Sequence, residues 1–156
     1  MTVALTQEKF TLVSAEDYEF LSQWKWFYCN GYAARHTPGT NQKLILMHRV
    51  IAERMGLKIN GLQVDHINQD RSDNRRENLR VATNTENMQN CIRHKDNTSG
   101  FKGVSWHTQR QKWRAYIRHN GKQVYLGSFS DKKEAVIAYN QAAIKYHGKF
   151  SCLNKV

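Results

Sequence analysis

Val64-Asp65-His66-Ile67, followed by Asn78-Leu79 and then by Thr85-Glu86-Asn87, is the stretch whose reading decides the fold. Leu62 to Ile67 reads as a strand. Asn68 to Arg76 is a polar loop carrying Asp70, Arg71, Asp73, Asn74, Arg75 and Arg76. Glu77-Asn78-Leu79-Arg80-Val81 reads as a second strand. Thr83 to about Cys91 reads as a helix, which Thr83 or Asn84 can cap and whose first turn Glu86 suits. The order is strand, loop, strand, helix.

Three residue types in this stretch suit phosphodiester hydrolysis. That reaction needs a base to activate water and positive charge on the phosphate and leaving oxygen. Histidine suits the first task, because its ordinary pKa is about 6.5. A hard divalent cation with oxygen ligands suits the second. Asp65 and His66 are neighbours on a strand, so their side chains point to opposite faces unless the strand twists or ends there. On the residues alone, Asn84 and Asn90 are alternatives to Asn87 as an oxygen donor, and a plain turn residue is the lesser alternative for Asn78.

Asp65-His66, Asn78 twelve residues after His66 and Asn87 nine residues later, on a strand–loop–strand–helix order, resemble the HNH nuclease family and its ββα-metal fold. Glu77-Asn78-Leu79 and Thr85-Glu86-Asn87 look like signature segments of its phage and intron-encoded members, the homing type. The resemblance implies His66 as general base, Asp65 and Asn87 as ligands of one Mg²⁺ or Mn²⁺, and Asn78 as the residue that braces the loop and orients His66. It also implies products with 5′-phosphate and 3′-hydroxyl ends. The last letter of the family's name is Asn87 here, a variant the family allows. Zinc-binding members carry extra Cys pairs that this chain lacks, so no structural zinc is expected.

Upstream, residues 8–36 read as a small strand-rich platform. Phe10-Thr11-Leu12-Val13 is a short strand, and Ser14-Ala15-Glu16-Asp17 resembles a capping box opening a helix through Tyr18, Leu21 and Trp24. Asn30-Gly31 is a hairpin turn between Trp26-Phe27-Tyr28-Cys29 and Tyr32-Ala33-Ala34-Arg35. Trp24 and Trp26 are expected in the core. A loop at Thr37-Pro38-Gly39-Thr40-Asn41 leads to a buried strand, Leu44-Ile45-Leu46-Met47, and then to a helix from His48 to Met55 ended by Gly56. His48 is expected to be structural, although it and Arg49 are also candidates to face a duplex.

Downstream the charge changes. The formal charge is +11. Residues 1–47 carry four Lys/Arg and four Asp/Glu, residues 48–91 seven and six, and residues 92–156 thirteen and three. The excess in the last segment points to a polyanion partner. Ile92 to Gly100 is polar and turn-rich and reads as a linker. Lys102 to His107 is a strand. In the next, Trp113, Ala115 and Ile117 face one way, and Lys112, Arg114, Tyr116 and Arg118 the other. Asn120-Gly121 turns the chain into a third strand, with Val124 and Leu126 inward and Gln123 and Tyr125 outward. Asp131 opens a helix with Ala135, Ala138, Tyr139, Ala142, Ala143 and Tyr146 on one face.

Gly103-Val104, Trp113-Arg114-Ala115-Tyr116-Ile117-Arg118, Leu126-Gly127-Ser128-Phe129 and Glu134-Ala135 through Ala138-Tyr139 to Ala142-Ala143 resemble the DNA-binding domain of plant APETALA2/ethylene-response factors. In that family the exposed face of a three-stranded sheet lies in the major groove. Carried over by position, the implied contacts are Lys102, Ser105, His107, Lys112, Tyr116, Arg118, Gln123 and Tyr125. Patterning alone adds Arg110 and Arg114. The plant pattern has Arg where Ser105 and His107 stand, so its sequence preference does not transfer.

The expected class is therefore α+β. A platform and ββα-metal nuclease domain (residues 1–91, core 48–91) is followed by a linker (92–100) and a three-stranded antiparallel sheet packed on one helix (101–156). The expected function is a metal-dependent, site-preferring DNA endonuclease of the homing type, acting on double-stranded DNA as a monomer or homodimer. The rivals are a sequence-specific DNA-binding regulator with a non-catalytic HNH scaffold and, less favoured by a major-groove sheet, an RNA-binding protein. No apolar run approaches the roughly 18 residues that cross a membrane. The start of the chain reads as lacking a signal peptide. Cys29, Cys91 and Cys152 form neither a disulfide framework nor a zinc clamp. The expected location is the cytoplasm of a bacterial or phage-infected cell.

Overall fold

Two short strands open the chain, β1 (Thr2–Ala4) and β2 (Phe10–Val13), paired antiparallel with Val3 opposite Thr11. Helix α1 (Ala15–Leu21) follows and stops before Trp24. Its Ser14 hydroxyl makes no cap bond to the helix and instead accepts from the Arg76 backbone N–H at 3.0 Å. Asp17 is fully buried and serves more than the first turn. Its carboxylate binds the Arg76 guanidinium through Nε at 2.6 Å and Nη2 at 2.8 Å, and Arg54 Nε at 2.8 Å. The local capping signal was thus overridden by two partners distant in sequence.

Strands β3 (Phe27–Cys29) and β4 (Tyr32–His36) form the hairpin expected from Asn30-Gly31. Asn30 and Gly31 both have positive φ, 48° and 92°, which a two-residue turn of this hand requires. Strand β5 (Leu44–Leu46) pairs with β4 but is half-buried to exposed, not the buried strand its apolar run suggested. Helix α2 (Met47–Arg54) buries Met47, His48, Ile51 and Ala52, and Gly56 follows its last turn with φ 73°.

Strand β6 (Gln63–His66) pairs antiparallel with β8 (Leu79–Ala82), setting Asp65 opposite Arg80 and His66 opposite Leu79. Between them the polar stretch is not wholly a loop. Asp73–Asn74 forms β7, which runs parallel to β2 with Val13 opposite Asn74, and a 3₁₀ turn covers Arg76–Asn78. Helix α3 (Asn84–Asn90) completes the series. Val13, Leu21, Trp26, Met47, Ile51, Val64 and Leu79 share one core, to which Trp24 adds a partly buried ring.

The second core lies downstream. β9 (Val104–His107), β10 (Lys112–His119) and β11 (Lys122–Phe129) form an antiparallel sheet with β10 central, packed on α4 (Lys132–His147). Val104, Ala115, Ile117, Ala135, Val136, Tyr139, Ala142 and Ala143 fill the space between them. The alanines permit close approach, and Gly103 shows how close. A Cβ there would meet the Tyr139 ring at 2.2 Å and the Tyr116 carbonyl oxygen at 2.5 Å.

The computed structural model describes residues 1–91 and 96–155. The chain divides into two compact units, residues 1–85 and 86–156, with the division inside α3. Residues 92–95 of the expected linker lie outside the described residues. Residues 97–101 form a tight polar turn, in which the Asn97 side chain accepts from Gly100 N–H and from the Ser99 hydroxyl. Among the described residues no helix is long and apolar enough to cross a membrane.

Candidate active site and nucleic-acid face

Asp65 and His66 are the last two residues of β6. Both are buried, with 5% of each exposed. Asp65 meets its cross-strand neighbour: Arg80 places Nε at 2.8 Å and Nη2 at 2.7 Å from Oδ2. A buried carboxylate without a counter-charge is strongly disfavoured, so Arg80 makes this position tenable. The His66 ring packs near His48 (ring centroids 5.1 Å) and Tyr32 (6.1 Å). Burial holds the imidazole below its ordinary pKa. The Asn74 hydrogen bond and the Asp65, Asp70 and Asp73 carboxylates oppose that pull.

Asn78 ties together the two ends of the stretch between the strands. Its Oδ1 accepts from Asn68 N–H at 2.9 Å. Its Nδ2 donates to Asn68 Oδ1 at 2.9 Å and to the Asp73 carbonyl at 2.7 Å. The Asn78 backbone carbonyl accepts from Ile67 N–H at 2.9 Å. Asp73 is gripped in turn by Arg75, Nε to Oδ1 and Nη2 to Oδ2, both at 2.8 Å, and this pairing holds its carboxyl below the usual range. The bond that reaches the His66 ring comes from a different residue. Asn74 Oδ1 lies 3.1 Å from His66 Nε2, and Asn74 Nδ2 donates to the Thr11 hydroxyl at 2.6 Å.

His48 is buried, so it does not face a duplex; its ring packs on His66 and Tyr32. Burial, then its neighbours His66, Arg49 and Arg71, which disfavour a charge there, push its pKa down to about 3. The Arg71 guanidinium stacks over Tyr32 at 4.5 Å and donates to the Asn30 carbonyl at 3.1 Å. The β3–β4 hairpin thereby holds Tyr32 near the His66 ring. Asn87 stands on α3, where its carbonyl accepts from the Cys91 thiol at 3.3 Å. Asn84, one alternative to it, accepts from Gln63 Nε2 at 3.2 Å, and the other, Asn90, is buried. Among the described residues, no three His, Cys, Asp or Glu side chains gather as a metal site.

On the downstream sheet, strand register assembles the outward residues into one face. Lys112 pairs with His107, Arg114 with Ser105, Tyr116 with Tyr125 and Arg118 with Gln123. A bulge on β11 at Leu126 keeps Tyr125 opposite Tyr116, with ring centroids 5.3 Å apart. Arg110 ends a 3₁₀ turn, and its N–H donates to His107 Nδ1 at 3.1 Å. Lys102 is placed differently. Its ammonium donates to the carbonyls of Gln89 and Cys91, both at 2.6 Å, where it closes the C-terminal end of α3. Sequence position alone gave no sign of that engagement.

The sequence matches a family model described as HNH endonuclease over residues 46–89 and one described as AP2 domain over residues 99–149. It is 36% identical to Protein 3.8 of Escherichia phage T7 over 91 residues, which cover 58% of this chain and 74% of that protein. The chain belongs to the HNH endonuclease family. Its HNH segment is thus β6 to α3 with the α2 helix before it, and an AP2 domain follows. An uncharacterized HNH endonuclease of Acanthamoeba polyphaga mimivirus is 28% identical over 148 residues, 94% of this chain and 75% of that protein. APETALA2-like protein 2 of Oryza sativa subsp. indica is 39% identical over 57 residues; the match covers only 13% of that protein. No solved structure matches the chain. Beyond the HNH spacing, the structure adds Asn74, Thr11, His48, Tyr32 and Arg80 to the surroundings of Asp65 and His66. Their letters carry no local pattern that marks them.

Proposed function

We propose that the chain is a metal-dependent DNA endonuclease of the homing type. In this reading His66 is the general base, Asn78 braces the stretch that carries it, and the AP2 sheet grips duplex DNA through Ser105, His107, Arg110, Lys112, Arg114, Tyr116, Arg118, Gln123 and Tyr125. The observation that carries it is the His66 imidazole, buried at the end of β6 and fixed by a side-chain hydrogen bond beside a charge-balanced carboxylate. A neutral imidazole held in one orientation suits proton abstraction near neutral pH. His66 takes a proton from water; the hydroxide oxygen bonds to phosphorus, and the bond from phosphorus to the 3′ oxygen breaks. That oxygen takes a proton from solvent and leaves as a 3′-hydroxyl, and the 5′-phosphate stays on the other fragment.

Asp65 and Asn87 are the residues that would hold a divalent cation. Their donor chemistry, a carboxylate and an amide oxygen, fits Mg²⁺ or Mn²⁺, which prefer hard oxygen ligands and keep bound waters. Such a cation supplies positive charge for the phosphate and the leaving oxygen. The working division is a nuclease domain over residues 1–91, a linker over 92–100 and a DNA-gripping module over 101–156. One site per chain implies nicking by a monomer and double-strand cleavage by a homodimer. The phage T7 relative fits a role in a phage-infected bacterial cell.

The test is supercoiled plasmid incubated with Mg²⁺, with EDTA and His66→Ala as controls. Nicked circles from the wild type alone are expected. Binding without cutting, across many sequences and divalent ions, would instead identify a DNA-binding regulator on an HNH scaffold. Equal cutting by His66→Ala would remove His66 as the base.

A further inference from the structure

A relay of hydrogen bonds behind His66 runs out to the N-terminal strand, and its direction is fixed at both branches by backbone carbonyls. The Thr11 hydroxyl lies 2.7 Å from the Ser72 carbonyl, which only accepts, so Thr11 donates there. Its oxygen then accepts from Asn74, at 2.6 Å. The same Asn74 amide nitrogen faces the Arg71 carbonyl at 3.5 Å, again an obligate acceptor. The Asn74 amide therefore cannot be flipped without setting carbonyl oxygens against each other. Its Oδ1 faces His66 Nε2 at 3.1 Å. An amide oxygen only accepts, so His66 Nε2 must carry the proton, and in the neutral ring the lone pair falls on Nδ1. Thr11 and Asn74 are each 1% exposed, so water does not compete for these bonds.

We infer that Asn74, oriented by Thr11, is a positioning residue that holds His66 in the Nε2–H tautomer and makes Nδ1 the base nitrogen. β2 thus belongs to the catalytic apparatus through its parallel pairing with β7, which sets Val13 opposite Asn74. Asn78, the residue that the HNH spacing points to, holds the backbone of the loop; Asn74 holds the ring. The inference rests on the proposed role of His66 as base, and its test separates the two.

The full-length protein, labelled with ¹⁵N-histidine, is examined by two-bond ¹H–¹⁵N correlation at about pH 8, above the ordinary histidine value of about 6.5. His66→Gln identifies the His66 signals. The expected wild-type pattern is Nε2–H. Thr11→Val, nearly isosteric and lacking the hydroxyl, mixes the tautomers. It also lowers kcat on plasmid roughly 10- to 100-fold at unchanged KM, at most the lower bound of the 10²- to 10⁴-fold that a placed acid–base group supplies, because the base is misplaced and not removed. Thr11→Ser keeps the hydroxyl and recovers the tautomer and kcat that Thr11→Val loses; Asn74→Leu loses both. An Nδ1–H pattern in the wild type overturns the inference by itself, even if the variants fail to fold. So does a folded Thr11→Val or Asn74→Leu with wild-type tautomer and kcat. If the tautomer follows these substitutions while His66→Ala still cuts DNA, the relay stands and the base assignment falls.

Discussion

Ionising His48 costs the fold, and the cost has a definite sign. Its folded pKa is about 3, against about 6.5 for an exposed imidazole, because burial and the neighbouring His66, Arg49 and Arg71 disfavour its charge. Between those two values the unfolded chain binds a proton that the folded chain refuses. Stability is therefore full above pH 6.5 and falls as pH drops, by about 1.4 kcal/mol per pH unit at the steepest, until about pH 3. Burial of His66, whose pKa is also lowered, adds to the same slope. His48→Phe keeps an aromatic ring against Tyr32 and His66 but cannot be protonated. Urea denaturation at pH 7.5 and pH 5 is expected to show a smaller loss of stability in His48→Phe than in the wild type. Equal losses would mean that His48 is not held neutral. At this scale, spacing exposes some residues and hides others. His66 and Asn78 stand at fixed distances from Asp65 and Asn87 that local sequence records. Asn74 looks like any other Asn in a polar stretch, and its partner Thr11 lies 63 residues away. Burial created that pairing, and burial is not written in neighbouring letters.

Elements formed by their own periodicity were the readable ones. β10 alternates Trp113, Ala115 and Ile117 inward against Lys112, Arg114, Tyr116 and Arg118, and α4 repeats its alanines at helical spacing, so each declares its buried face. The β3–β4 turn declares itself through Asn30-Gly31. β7 does not: Asp73–Asn74 is a strand only because β2 supplies its partner. α1 shows the same limit at its start, where Ser14 and Asp17 resemble capping residues yet serve the Arg76 backbone and two arginines. That buried cluster joins α1, α2 and the turn before β8, and it predicts an asymmetry. Arg76→Ala leaves the fully buried Asp17 carboxylate with Arg54 alone, and a buried ion pair broken on one side costs roughly 3–5 kcal/mol. An exposed arginine such as Arg71, bound to no buried carboxylate, lacks that penalty. Chemical denaturation of Arg76→Ala is expected to lower the stability of the first unit by about 2–4 kcal/mol, the lower bound reflecting the remaining Arg54 bond. A change below about 0.5 kcal/mol, the range of ordinary surface substitutions, would show the cluster to be solvated in solution.

For the whole molecule, charge divides the labour along the chain. Residues 1–91 carry 11 Lys/Arg against 10 Asp/Glu, while residues 92–156 carry 13 against three. A segment of nearly balanced charge releases few counterions from DNA, so a site at Asp65 and His66 gains little duplex affinity from its own surroundings. Four of those 13 cations, Lys112, Arg114, Arg118 and Lys122, stand on the strands of the AP2 sheet, and strand register gathers Lys112, Arg114 and Arg118 on one face. Within that face the basic residues are unequal. Lys112 and Arg118 are exposed, whereas Arg114 is half-buried with its Nη1 3.4 Å from the Tyr116 hydroxyl, and the Lys102 ammonium is bound to backbone carbonyls. Lys112 and Arg118 are therefore the best-placed phosphate contacts, and Lys102 the poorest despite its position in the family pattern. Duplex affinity measured by fluorescence anisotropy in EDTA, between about 50 and 200 mM salt, reads this directly through the slope of log K against log salt. The Lys112→Ala/Arg118→Ala double variant is expected to lose about two units of that slope and to weaken binding across unrelated sequences. Lys102→Ala is expected to leave the slope near the wild-type value. A double variant with an unchanged slope would take phosphate contact away from the sheet face; a large loss in Lys102→Ala would show that its ammonium leaves Gln89 and Cys91 to meet DNA.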